Sequence, residues 1–240
     1  MALWMGAAGA VEAWGWVEQP ETPYLVVDPT RGELVEDVRV WFEDVALGPR
    51  FSVTVLQHER HLIRGLEERG HERGETPFFL HLVRELTRPP IAGSSREVHG
   101  TTDHAGRSAG TRSGSPGAWE PSVLTEESFR RVTECWPYRG DLDWVVEHRG
   151  TFVAYCLAWL DEAHAVGELE PVGTDPRFRR MGLGPVACLA AMHALRGCGA
   201  RNAIVYARGD NAYPIPARMY QSLGFEAYAR TWTYYRSPLA

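Results

Sequence analysis

The chain of 240 residues is 44% hydrophobic and 23% charged, long and apolar enough to bury a core as one large domain or two small ones. Its net charge of −6 lacks the basic surplus of a general nucleic-acid binder. Four scattered cysteines without a CxxC argue for a reducing, cytoplasmic setting, and the nine histidines form no ligand pattern, so no metal is expected.

The start, "MALWMGAAGAVEAWGW", is mildly apolar but has no basic leader, and Glu12 and Glu18 interrupt it before membrane-spanning length. It reads as folded chain with no membrane association. "HERHLIRGLEERGHER" (His58 to Arg73) alternates acid and base, the pattern of a solvated helix face. Residues 93–117 hold 14 Gly, Ser or Thr in 25 positions, a linker plus flexible loop that includes a short strand in "SREVHG". The chain is thereby divided into residues 1–90 and 91–240.

Beyond the loop, "TEESFRRVTECW" (Thr125 to Trp136) opens a helix with a threonine cap and a glutamate as its capping-box partner. "DLDWVVEHR" and "TFVAYCLAWLD" flank Gly150 as an antiparallel hairpin, and "HAVGELEPVGTDP" is a third strand. "LGPVACLAAMHALRG" is an Ala- and Leu-rich helix closing near Gly197 and Gly199. "RNAIVYARG" is a buried strand, "PIPARMYQSLGF" a short helix ended by Gly224, and "EAYARTWTYYR" a last aromatic strand. The aromatics Trp119, Trp136, Tyr138, Trp144, Tyr155 and Trp159 gather around the hairpin and are assigned mostly to the core, with Trp119 as a candidate lining of an acceptor pocket.

The two parts resemble each other. "LIRGLEERGHERGETPFFLHLVRE" runs parallel to "PARMYQSLGFEAYARTWTYYR": each is a short helix, a glycine (Gly70, Gly224) and an aromatic strand. Upstream, Asp28-Pro29 falls opposite Asp175-Pro176 and Arg50 opposite Arg201. The Pro-to-Arg separation is 21 positions in the first copy and 25 in the second. The missing residues fall at "RRMGLG", Arg179 to Gly184.

That hexapeptide joins a strand to a helix. The first N–H groups of a helix have no partner, and with the helix dipole they form a site for phosphate. Gly182 and Gly184 let the backbone approach a ligand closely, and Arg177, Arg179 and Arg180 add positive charge. By itself the pattern is more often an ordinary turn with solvated arginines. No Walker loop and no GxGxxG is present.

The order strand, "TDPRFRRMGLG", Ala-rich helix, strand, then "ARMYQSLGF" resembles the GCN5-related N-acetyltransferase (GNAT) superfamily. Its pyrophosphate loop has the form Arg/Gln-x-x-Gly-x-Gly/Ala, and its next helix carries an "LY…GF" element, here Met219-Tyr220 and Gly224-Phe225. The two motifs stand about 40 residues apart. The resemblance covers residues 95–236 in full and the N-terminal copy in reduced form. It implies an α/β protein of α+β type, with a mixed, mostly antiparallel sheet flanked by helices and a partial second domain of the same kind. The implied co-substrate is acetyl-CoA, its pyrophosphate held by Arg179, Arg180, Met181, Gly182, Leu183 and Gly184. The strand before the loop would splay from its neighbour, freeing backbone near Val172 and Thr174 for pantetheine, and the Val172 amide would stabilise the oxyanion. Tyr220 would protonate the departing thiolate.

Strand alternation puts Glu168, Glu170, Val172 and Thr174 on one face. Glu168 lies 11 positions before Arg179, where histone-type members of the superfamily place a glutamate base; Glu170 is its rival, and water a third choice. The family's helix asparagine would stand at Tyr213. Asn211 lies two positions earlier and becomes the candidate pantetheine contact if the segment is expanded. In the N-terminal copy Leu66 falls opposite Tyr220 and the glycine loop is missing, so no CoA binding is expected there. The expected activity is acetyl transfer to a small-molecule or peptide amine by direct attack in a ternary complex, with a homodimer possible. An acyl-CoA sensor without turnover, and an interaction protein without CoA affinity, remain the alternatives.

Overall fold

The structure, a computed structural model, describes residues 1–19, 22–47, 51–87, 98–100 and 125–236. Most of the Gly/Ser-rich segment, Trp119 and Arg50 lie outside the described residues. The chain divides into two compact units. One comprises Met1–His81, Tyr206–Ala217 and Ala227–Ala240, and the other Leu82–Val205 and Arg218–Glu226.

The first unit opens with a three-stranded antiparallel meander: β1 (Ala2–Met5), β2 (Val11–Glu18) and β3 (Thr22–Val27). Helix α1 (Leu34–Val45) packs on one face of it. There Ala13, Val27, Val35, Val38 and Phe42 are buried, and the Trp4 and Trp41 rings meet edge to face at 5.8 Å. Strand β4 (Phe51–Leu56) and helix α2 (Arg60–Glu68) follow, with Leu62 and Leu66 closing the same core. The short β5 (Glu72–Gly74) and β4 each pair antiparallel with the last strand, β12 (Glu226–Arg236), where Thr54 and Thr233 share a hydrogen bond of 3.1 Å. Strand β6 (Phe79–Glu85) runs on into the second unit.

In the second unit β7 (Val98–Gly100), β8 (Asp143–His148), β9 (Thr151–Asp161) and β10 (Val166–Thr174) pair antiparallel in that order, and β11 (Asn202–Arg208) joins β10 parallel. Arg149 and Gly150, both at positive φ, form the two-residue turn between β8 and β9. Helix α3 (Glu126–Glu134) precedes β8, and its capping box closes on Ser128, not on a glutamate: three positions past Thr125 stands a serine whose hydroxyl makes the reciprocal bond. Trp136 is 94% exposed rather than in the core.

Helix α4 (Leu183–Gly197) buries Leu183, Ala187, Cys188, Ala191, Met192 and Leu195, one stripe of a 3.6-residue repeat. A methyl group on Gly167 of β10 would fall 2.4 Å from Leu195, so helix and strand approach as closely as they do because no side chain intervenes. Gly199, at φ 93°, ends α4: it donates to Arg196 and Ala200 donates to Leu195, the Schellman arrangement. Helix α5 (Ile215–Ser222) ends the same way, with Gly224 donating to Gln221 and Phe225 to Tyr220. No helix among the described residues is long and apolar enough to cross a membrane.

Candidate functional site

The centre of the second unit is the end of β10. Its parallel pairing with β11 covers only Val166–Glu168 against Asn202–Ile204, while β10 itself continues to Thr174. From Leu169 onward its β11-facing edge makes no ladder, and the expected splay is present.

Alternation along β10 does not hold. Glu168 stands opposite Trp159 and Leu169 opposite Ala158, but Val172 stands opposite Cys156. One extra residue is accommodated in a bulge at Glu170-Pro171, so residues before and after it exchange faces. Glu168 shares the face of Trp159; Val172 and Thr174 share the other with Cys156 and Ala154. The single face expected for Glu168, Glu170, Val172 and Thr174 is corrected to two, with the bulge as the cause. Trp159, which the sequence placed among the hairpin aromatics with no role at the site, fixes that bulge: its Nε1–H donates to the Glu170 carbonyl at 2.6 Å. Proline inside a strand was the available signal. Gly173 lies flat on Tyr155, where an added Cβ would be 2.5 Å from the ring.

Burial raises the pKa of both acids. For Glu168 burial alone does so; for Glu170 burial comes first and the Glu168 charge adds to it. Tyr220, on α5, is 6% exposed and packs edge to face on Phe225 at 5.8 Å. Burial, then Cys188, Cys156 and Glu170, push its hydroxyl well above the ordinary tyrosine range.

After Thr174, the buried Asp175 carboxylate accepts from the Arg177 backbone at 2.9 Å and from its guanidinium at 2.7 and 3.1 Å. Arg177 is thereby committed to shaping the turn and adds no free charge to the loop. Arg179 reaches the Thr174 carbonyl at 3.4 Å. Arg180 and Gly182 hold φ of 62° and 76°, and Gly182 is the N-cap of α4. The first helical bond runs from Val186 to Gly182, so the N–H groups of Leu183 and Gly184 precede it and lie at the positive end of the dipole. No acid occupies that first turn. A Cβ on Gly184 would come within 3.0 Å of Thr174 Oγ1 and 3.4 Å of Met219 Sδ, so the start of α4 packs closely on the end of β10 and on α5 because no side chain intervenes. These residues fit a diphosphate: helix-start N–H groups, two exposed arginines before them and no acid in the first turn.

The structure therefore brings Glu168, Glu170, Val172, Thr174, Arg179 to Gly184 and Tyr220 into one unit. Asn211 belongs to the other unit, in the turn after β11. The described residues contain no group of three or more His, Cys, Asp and Glu arranged for a metal.

Residues 115–225 match the model of the Acetyltransferase (GNAT) family. A mycothiol acetyltransferase of Rhodococcus erythropolis is 38% identical over 72 residues, 30% of this chain and 23% of that protein. One from Nocardiopsis dassonvillei is 40% identical over 68 residues, 28% of this chain and 20% of that one. These alignments thus span about a quarter or less of the relatives' length. Among solved structures, a GCN5-related N-acetyltransferase from Sphaerobacter thermophilus superposes with a TM-score of 0.72 at 18% identity, over 98% of this chain and 79% of that one. A tandem GNAT protein from the clavulanic acid biosynthesis pathway gives 0.63 at 16% identity, over 98% and 82%. Residues 115–225 thus resemble the GNAT acetyltransferases, and the chain has the GNAT fold.

Proposed function

We propose that this enzyme transfers an acetyl group from acetyl-CoA to a primary amine by direct attack in a ternary complex. The observation that carries the reading is the opened end of β10 leading straight into the glycine-lined amides of α4. The loop from Arg179 to Gly184 holds the pyrophosphate, and the β10 edge from Leu169 to Thr174 holds the pantetheine arm. Acetyl-CoA supplies the activated carbonyl. The amine nitrogen forms the new C–N bond, the C–S bond breaks, and the amine's proton leaves through Glu168, Glu170 or a water they orient. The Val172 N–H stabilises the carbonyl oxygen as charge develops on it. Tyr220, whose raised pKa keeps its proton on the hydroxyl, delivers that proton to the departing sulfur.

Residues 1–90, on this reading, are a reduced copy of the same fold. Asp28 Oδ1 accepts from the Thr30 backbone at 2.8 Å just as Asp175 Oδ1 accepts from Arg177 at 2.9 Å. At the end of α2, Gly70 donates to Glu67 and His71 to Leu66, the same pair of bonds that ends α5. Two turns that match bond for bond, in the same order along the chain, support a duplication. The solved tandem neighbour supports it too. The names of the curated relatives put the substrate of the mycothiol acetyltransferases first in an acceptor screen.

Calorimetric titration of acetyl-CoA into the wild type and a Gly182→Asp/Gly184→Asp variant tests the proposal. One site per chain in the wild type, lost in a variant of unchanged circular dichroism, is the expected result; no heat in the wild type would sink it. The chain contains no lysine, all 25 basic residues being arginine. Acetyl groups transferred in a subsequent amine screen are therefore not confused with lysine self-acetylation.

A further inference from the structure

The outer face of the β1–β2–β3 meander is apolar and open. Register places Leu3, Trp14 and Val26 in one row, Trp16 and Tyr24 in the next, and Met5 with Val11 at the far end. All point away from α1, because Trp4, Ala13, Leu25 and Val27 alternate with them and face the core. Leu3 is 52% exposed, Met5 55%, Val11 51%, Trp16 50%, Tyr24 44% and Val26 45%. Trp16 and Tyr24 stack on each other at 5.4 Å, so their rings are already held in place. Aromatic rings presented without further ordering suit a contact surface, since little side-chain entropy remains to be lost.

The second unit indicates what such a sheet normally has. Its middle strand β9 buries Leu157 on one face and Ala154, Cys156 and Ala158 on the other. The middle strand of the open meander, β2, buries only Ala13 and Gly15, both on the α1 side. We infer that the outer face of β1–β2–β3 is the contact surface of a homodimer, in which two copies pack this face on itself about a two-fold axis.

Area and chemistry favour a second copy. Six half-exposed apolar side chains, two of them large aromatics, amount to roughly 600 Å² of apolar surface, the upper end of what monomers leave open. With the polar atoms at the rim this reaches about 800 Å² per partner, the share of a standard-sized interface. A two-fold contact places the patch against itself, which a charged patch would resist. Here the rows carry no charge. Glu18, at the margin, is engaged by the Tyr24 hydroxyl at 3.1 Å, and Glu12 by Arg31. A central row of Leu3, Trp14 and Val26, flanked by the Trp16–Tyr24 and Met5–Val11 rows and with acids at the edge, has the composition of an interface core and rim.

Sedimentation velocity on the full chain, from about 1 to 100 µM, tests this together with Trp16→Glu and Val26→Glu variants. Both positions are half exposed in the folded chain, and unchanged circular dichroism confirms that each variant folds. The expected result is a wild-type dimer that dissociates on dilution, and variants that stay monomeric with acetyl-CoA binding unchanged. A wild type that is monomeric throughout overturns the inference, as does a dimer that survives both substitutions. Neither residue belongs to the proposed acetyl-CoA site, so failure here leaves that reading standing.

Discussion

Replacing Glu168 and Glu170 separately with glutamine distinguishes the roles of the two buried acids. Each carboxyl titrates above its ordinary value of 4.5, and Glu170 does so partly because of the Glu168 charge. A base must be ionised, so kcat/KM falls as pH drops through the raised pKa, and the acid limb lies above the usual carboxylate range. If Glu168 is the base, Glu168→Gln lowers kcat/KM by about 10²–10⁴-fold, the usual contribution of a positioned base, and abolishes the limb. If Glu170 is the base, the same substitution removes the charge that raises its pKa, and the limb moves to lower pH with the plateau largely kept. The assay is acetyl transfer to a fixed amine from pH 5 to 9, with the amine's own ionisation measured separately. Limb and plateau unchanged in both variants would refute the reasoning, since neither carboxylate would then take the proton.

The same shifts fix the sign of a stability effect. A carboxyl whose folded pKa is raised disfavours the folded state while ionised, so the penalty is full above the folded pKa and vanishes below the unfolded one. Both glutamine variants are therefore expected to melt higher than the wild type at neutral pH, with the difference closing as pH falls toward the ordinary glutamate range. A lower neutral-pH melting temperature in both would contradict the assignment of burial as the cause.

Tyr220→Phe should lower kcat by about 10²-fold or more, the low end of what a positioned acid contributes, with acetyl-CoA affinity nearly unchanged in calorimetry. Gly182→Ala, at φ 76°, should cost about 1–2 kcal/mol in urea unfolding, because a Cβ is strained in that conformation. Leu66→Ala removes a side chain only 4% exposed and should cost about 2–5 kcal/mol, with acetyl-CoA stoichiometry still one per chain. Thr125→Ala opens the capping box of α3 and should cost about 1 kcal/mol.

Local chemistry made the elements legible. Gly70, Gly150, Gly199 and Gly224 all hold positive φ at the turns where they were read as punctuation, and α4 runs over the residues assigned to it, Leu183 to Gly197. What stayed hidden depends on partners distant in the chain. Strand alternation cannot show that β10 gains a residue on β9 between Leu169 and Val172, though Pro171 marked where it would. Trp136 reads as core from its type, yet it follows the end of α3 and meets solvent. The open face of β1–β2–β3 was hidden because both parities of "VEAWGWVE" carry apolar residues, a pattern that suits a strand covered on both sides.

The two Asp-Pro turns also differ in what the helix after each offers an anion. Each has an Asp-Pro turn whose carboxylate caps the backbone two residues on, followed by a helix. In the first half the helix begins six residues after Asp28, and Glu36 and Asp37 occupy its first turn. Its own carboxylates lie in the positive end of the dipole, where they repel any further anion. In the second half the helix begins eight residues after Asp175, with Gly182 and Gly184 at its start, Arg179 and Arg180 before it and no acid in the first turn. That end is left for an anion from outside. Two residues more in the connection, and two acids fewer in the first turn of the helix, separate a helix that satisfies its own dipole from one that does not.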